Sequence, residues 1–129
     1  MKRNQRLDTA LIETLALPAA AANAQTAALD LQGACENCEL ELSVEATTAL
    51  VAEKSITLKL QESADNGTFA DAPWAPVITV EGKSGNGSDA IAQRIGIPST
   101  AKRYIRAYAA VESGGGTIKG SSFALKACF

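Results

Sequence analysis

The chain has 129 residues, of which 47 % are hydrophobic and 20 % charged, with a formal net charge of −2; that length suits one domain and would leave two halves too small for good cores. It contains no histidine, so it lacks the commonest general base and metal ligand, and it cannot assemble a Ser-His-Asp or Cys-His device. The slight negative charge argues against a nucleic-acid partner. No stretch approaches the ~20 apolar residues of a membrane span. The expectation is a protein that is not an enzyme, has no membrane segment and needs no cofactor.

The N-terminus imitates a secretion signal, with Lys2, Arg3 and Arg6 ahead of an apolar patch and Ala22-Asn23-Ala24 as a mock cleavage site. Asp8 and Glu13 interrupt the apolar stretch that such a signal requires, so the reading is against secretion. Leu7, Leu11 and Leu15 recur at helical spacing until Pro18. Residues 1–25 read as an N-terminal arm, extended or with at most a short helix, and 26–129 as the folded domain.

Within 26–129 the period changes from helical to two. Thr26–Leu31 could form a short edge strand. Glu39–Ala46 sets Leu40, Leu42 and Val44 against Glu39, Glu41, Ser43 and Glu45, and Lys54–Glu62 sets Ile56, Leu58 and Leu60 against Thr57, Lys59 and Gln61. Val77–Val80 follows the kink Pro73-Trp74-Ala75-Pro76, and Ala90–Ile97 is closed by Gly96 and Pro98. Arg103–Glu112 places Ile105, Ala107, Ala109 and Val111 opposite Tyr104, Arg106 and Tyr108, and Thr117–Phe129 is the final strand. Turn signals lie at Asp65-Asn66-Gly67, Gly85-Asn86-Gly87 and Gly114-Gly115-Gly116. The glycine triplet reads as a hairpin between the last two strands. Seven or eight strands without a convincing helix predict an all-β, antiparallel two-sheet jelly roll or β-sandwich. Leu40, Leu42, Ile56, Leu58, Leu60, Ile105 and Val111 are its expected core.

The chemistry-bearing motifs are weak. Cys35-Glu36-Asn37-Cys38 has only Cys128 to add, one ligand short of a structural zinc site, so free or packing cysteines, a disulfide and a metal all stay open, in that order. Asp65, Asn66 and Asp71 match no EF-hand spacing and read as a solvated turn. Asn66-Gly67-Thr68 and Asn86-Gly87-Ser88 are formal glycosylation sequons but read more simply as turns. Glu39, Glu41 and Glu45 on one strand read as a solvated face rather than a hydrolytic pair. Tyr104, Arg106 and Tyr108 share a face and suit an interface with another protein, residue types enriched at such surfaces.

Charge is split along the chain, with ten acids to three bases in 36–89 and one acid to six bases in 90–129. The strands of the two parts either interleave and cancel the asymmetry, or present opposite faces that attract one another in a ring.

Three stretches together resemble the small jelly-roll cement (decoration) proteins of tailed-bacteriophage capsids. They are Ala27-Ala28-Leu29-Asp30-Leu31, the run from Ile56 through Leu60 and Asp65-Asn66-Gly67 to Phe69, and the closing segment from Lys102-Arg103-Tyr104 through the glycine triplet to Phe129. The likeness spans about four fifths of the chain and is one of layout. It implies a structural virion protein, made in the host cytoplasm, that sits as a homotrimer on the outer capsid surface. There it would bind the major capsid protein and hold neighbouring coat subunits together, with no cofactor, metal, nucleic acid or membrane involved. Lys2, Arg3, Arg6, Leu7, Leu11 and Leu15 of the arm, with Tyr104, Arg106 and Tyr108, are the expected partner contacts. The alternative is a carbohydrate- or receptor-binding β-sandwich module, which would need an exposed aromatic platform built from six aromatic residues.

Overall fold

Alternating side chains can bury one face of a strand only against a second apolar face, and here two antiparallel sheets supply both. A computed structural model describes residues 12–31, 39–116, 118 and 120–128. Its strands are β1 (Ile12–Ala16), β2 (Asn23–Gln25), β3 (Leu29–Asp30), β4 (Glu39–Val44), β5 (Ser55–Ser63), β6 (Ala70–Asp71), β7 (Ile78–Glu81), β8 (Ile91–Gly96), β9 (Tyr104–Val111) and β10 (Ser122–Cys128). The first sheet runs β1-β10-β4-β8. The second runs β2-β9-β5-β6, with β3 also on β9 and β7 also on β5.

The short pairs β2/β3 and β6/β7 are each one strand interrupted. Between β2 and β3 the register on β9 shifts by one residue, from Gln25↔Tyr108 to Leu29↔Ile105, the signature of a bulge. At the break the hydroxyl of Thr26 accepts the Ala107 N–H at 3.0 Å, while the Thr26 N–H donates to the Ala107 carbonyl at 3.0 Å. Between β6 and β7 the Pro73–Val77 segment leaves the sheet, as its prolines require. Its Trp74 indole N–H donates to Glu62 Oε1 at 3.0 Å, the same oxygen that accepts the Lys102 amide at 3.0 Å. Glu62 is a buried inward-facing carboxylate that ties two loops to one end of the sandwich. Merging the interrupted strands leaves eight among the described residues, four to a sheet, with the first beside the last. This is the jelly-roll order.

The core lies between the sheets. Leu40, Leu42, Ile56, Leu58, Leu60, Ile105 and Val111 are all buried, as the alternation predicts, joined by Leu17, Leu29, Leu50, Ile118, Phe123 and Leu125.

Two expectations are corrected. Of the extended and helical alternatives for this stretch the extended one holds for residues 12–16, but as strand β1, paired with β10 from Ile12↔Lys126 to Ala16↔Ser122. Leu17 follows into the core at 2 % exposure, and β2 joins the second sheet, so 12–25 is part of the sandwich rather than an arm beside it. A helix this short is marginal in water, whereas the β10 edge offers backbone partners at once. The second correction concerns Gly114-Gly115-Gly116. The positive φ values expected of these glycines are present at Gly114 (83°) and Gly116 (97°), but the triplet is not a hairpin. β9 already lies between β2/β3 and β5, and β10 between β1 and β4, so the segment crosses from one sheet to the other. Close approach explains Gly116, where a Cβ would lie 2.5 Å from the Ala49 carbonyl oxygen.

The charge split folds together. Arg94 lies 3.5 Å from Glu39 and 3.9 Å from Glu41 on the neighbouring strand, and β5 of the acid-rich segment pairs with β9 of the base-rich one. The acid-rich and base-rich segments interleave, which removes the motive for opposite charged faces. The Glu39 and Glu41 face is a solvated ion-pair surface, and Glu45 accepts the Ser122 amide at 2.6 Å.

Candidate functional site

Tyr104, Arg106 and Tyr108 point outward from β9, the reverse of the face that buries Ile105, Ala107 and Ala109. Strand pairing sets Ser63 opposite Tyr104, Gln61 opposite Arg106 and Lys59 opposite Tyr108, and sets Asp71 beyond Gln61. A connected surface follows. Arg106 Nε donates to Gln61 Oε1 at 2.9 Å, Gln61 Nε2 to Asp71 Oδ1 at 3.2 Å, and Lys59 Nζ to Asp71 Oδ2 at 3.0 Å. The cations also cover rings: Lys59 Nζ lies 4.6 Å from the centre of Tyr108, and the Arg106 guanidinium 4.1 Å from that of Phe69. At the far end Arg103 makes a two-pronged contact with Asp30, at 2.7 and 2.9 Å, and stands 5.1 Å from the Tyr104 ring centre.

These contacts hold the charged forms. The Lys59 ammonium, then the Gln61 amide, lowers the Asp71 pKa below the usual carboxylate value. The Asp30 carboxylate raises that of Arg103. Three of the chain's six aromatic residues stand on this one face, their rings braced by cations, of which Lys59 and Arg103 are held by carboxylates and Arg106 by the Gln61 amide oxygen. The result is a pre-ordered, nearly charge-balanced platform of the kind that anchors protein contacts, because little side-chain freedom is left to lose on binding.

Of the residues expected at the interface, only the β9 trio is brought together. Leu15 lies on β1 in the first sheet, opposite Phe123, so it belongs to a different surface. Lys2, Arg3, Arg6, Leu7 and Leu11 lie outside the described residues, as do Cys35 and Cys38. Sequence reasoning missed Lys59, Gln61, Phe69, Asp71 and the Arg103–Asp30 pair as members of the platform. The outward facing of Lys59 and Gln61 is legible in the alternation, but their register against Tyr108 and Arg106 is not.

The acidic turn after β5 has a local role. Asp65 Oδ1 accepts the Gly67 and Thr68 amides, at 2.9 and 3.1 Å, and the Ser63 hydroxyl at 2.8 Å. These donors, led by the Gly67 amide, lower the Asp65 pKa from 3.8 to about 2, while Asp71 is engaged with Lys59, so the two carboxylates are held by separate donors. No three His, Cys, Asp or Glu groups gather into a metal site among the described residues. A carboxylate whose folded pKa is depressed stabilises the fold above its unfolded pKa, and loses that contribution as pH falls through the folded one. The stability difference between the wild type and Asp65→Ala is therefore expected to be constant above about pH 5 and to shrink between 3.8 and about 2. Urea titrations across that range measure it, and a pH-independent difference would count against the turn contacts.

Among the described residues no helix is long and apolar enough to cross a membrane. Compared with known proteins, the sequence matches no protein-family model and no curated protein.

Proposed function

We propose that this chain is a capsid cement protein: a structural, non-enzymatic virion component that binds the major capsid protein on the outer surface of a tailed-phage head. As a homotrimer it stabilises contacts between neighbouring coat subunits. The observation that carries this reading is the braced outer face of the second sheet, where Tyr104, Arg106 and Tyr108 stand in one row of a jelly-roll sheet. Such a face suits a flat protein partner, and many copies of a modest clamp gain strength by multivalency. The carbohydrate-binding alternative is less well supported, because stacking on a sugar needs an open ring face. Lys59 already stands over Tyr108, and Arg106 over Phe69.

The test is re-addition of purified protein to heads that lack it, with occupancy read by gel densitometry. Wild type should bind in stoichiometric, symmetric copies. Arg106→Ala and Tyr108→Ala should each weaken binding by about 2 kcal/mol or more, roughly 30-fold, if they are central anchors. Undiminished occupancy would move the contact off this face, and no binding to heads would refute the reading.

A further inference from the structure

We propose that the outer edge of β1 is a docking edge whose occupant is the β1 of a second copy, paired antiparallel about a two-fold axis through Thr14. The inference uses a different surface from the platform and does not rest on the capsid reading.

β1 ends the first sheet and pairs only with β10 among the described residues. The Leu17 N–H donates to the Ser121 carbonyl at 2.9 Å, which sets the phase of the ladder. Antiparallel strands alternate hydrogen-bonded and non-bonded pairs, so Leu17, Leu15 and Glu13 bond to β10. The N–H and C=O groups of Ile12, Thr14 and Ala16 therefore point away from it. Proteins ordinarily shield such an edge with charged side chains, proline or a bulge; Ile12–Ala16 has no lysine, proline or bulge, and its one charge is Glu13, on the face of the buried Leu125. Instead, two of the three large hydrophobic side chains exposed among the described residues lie here, Ile12 at 42 % and Leu15 at 37 %, the third being Val77. The opposite edge strand, β8, carries Arg94, which is held by Glu39 and Glu41.

The segment is complementary to itself in one register. Centred on Thr14, Ile12 faces Ala16, Thr14 faces Thr14 and Ala16 faces Ile12, so all three residues with unused backbone groups meet one another. Each such pair can exchange two hydrogen bonds. Glu13 then lies opposite Leu15, and no like charges meet. Centring on Glu13 would set two carboxylates face to face, which is destabilising. Centring on Leu15 would bring Pro18, which has no N–H, opposite Ile12. The favoured axis is perpendicular to the sheet, keeps the outer faces on one side, and joins two four-stranded sheets into one.

Sedimentation equilibrium of the full chain tests the proposal. Wild type should associate into even multiples of the unit formed by Thr14→Lys, which places two ammonium groups across the axis and should halve the mass. Thr14 is exposed and its amide is not used by β10, so this variant should stay folded, with the wild-type circular dichroism spectrum, and lose only the stability that association adds. Under mild oxidation Thr14→Cys should form a disulfide between two chains, joining the substituted position to its own copy across the axis, as peptide mapping would find. Facing Cα atoms of a hydrogen-bonded pair are about 5.5 Å apart, within disulfide reach. Glu13→Cys, which faces Leu15, should cross-link far less. An unchanged mass for Thr14→Lys, or equal cross-linking by the two cysteine variants, would overturn the proposal. So would a wild type that never associates through β1, and the edge would then be left to a strand of another protein.

Discussion

Deletion of residues 2–17 is expected to unfold the sandwich or strip it of most of its stability, rather than to leave a folded β domain that has lost only its attachment. The deletion removes all five residue pairs that β1 makes with β10 and takes Leu17 out of the core. Losing a buried leucine costs about 2–5 kcal/mol, and each backbone bond of the lost ladder is worth about 1 kcal/mol net. Against a total of about 5–15 kcal/mol for a domain, the combined loss leaves little. β10 would also become an edge, with its Phe123 newly open to water. Urea denaturation followed by circular dichroism measures the effect. A truncated protein with an unchanged midpoint and slope would show that β1 adds nothing to the domain.

Phe123→Ala is expected to be among the most damaging single substitutions, at about 3–5 kcal/mol. Phe123 is 1 % exposed and sits on β10, with Leu15 opposite on one side and Val44 on the other. Among the described residues it is the one fully buried aromatic side chain in a hydrophobic cluster of Leu, Ile, Val and Ala, with Trp74 packed partly buried against it. The cavity left by the ring adds to the lost transfer energy, because the surrounding core relaxes only partially. The melting temperature should fall by roughly 10 °C or more. Phe123→Leu, which keeps most of the volume, should lose much less. A loss below about 1 kcal/mol for Phe123→Ala would mean that the ring is not packed between the sheets. Because all of these residues lie away from the Tyr104–Tyr108 face, a destabilised variant that still folds should bind the proposed coat partner with unchanged affinity. Core defects and interface defects can thus be separated in the same assays.

Alternation along β4, β5 and β9 was enough to place Leu40, Leu42, Ile56, Leu58, Leu60, Ile105 and Val111 inside, and Tyr104, Arg106 and Tyr108 outside. The reason is local: successive side chains of a strand point to opposite faces whatever the strand's neighbours are. The turn at Asp65-Asn66-Gly67 was legible for the same kind of reason, since Asn66 adopts a positive φ of 59° and Asp65 closes the turn on the amides that follow it. Which strand lies beside which is a long-range matter, and there the local signals misled or fell silent. Leu7, Leu11 and Leu15 carry a helical period, yet residues 12–16 gain more by completing the β10 edge. The glycine triplet carries the φ values of a tight turn, yet β9 and β10 have both sides occupied by other strands and cannot pair. β2 and β6 are too short to show any period, and exist because β9 and β5 have edges to fill. The register that brings Lys59 to Tyr108 and Arg106 to Gln61, and so converts three outward side chains into a braced platform, is decided only when β5 and β9 pair across more than forty residues of chain.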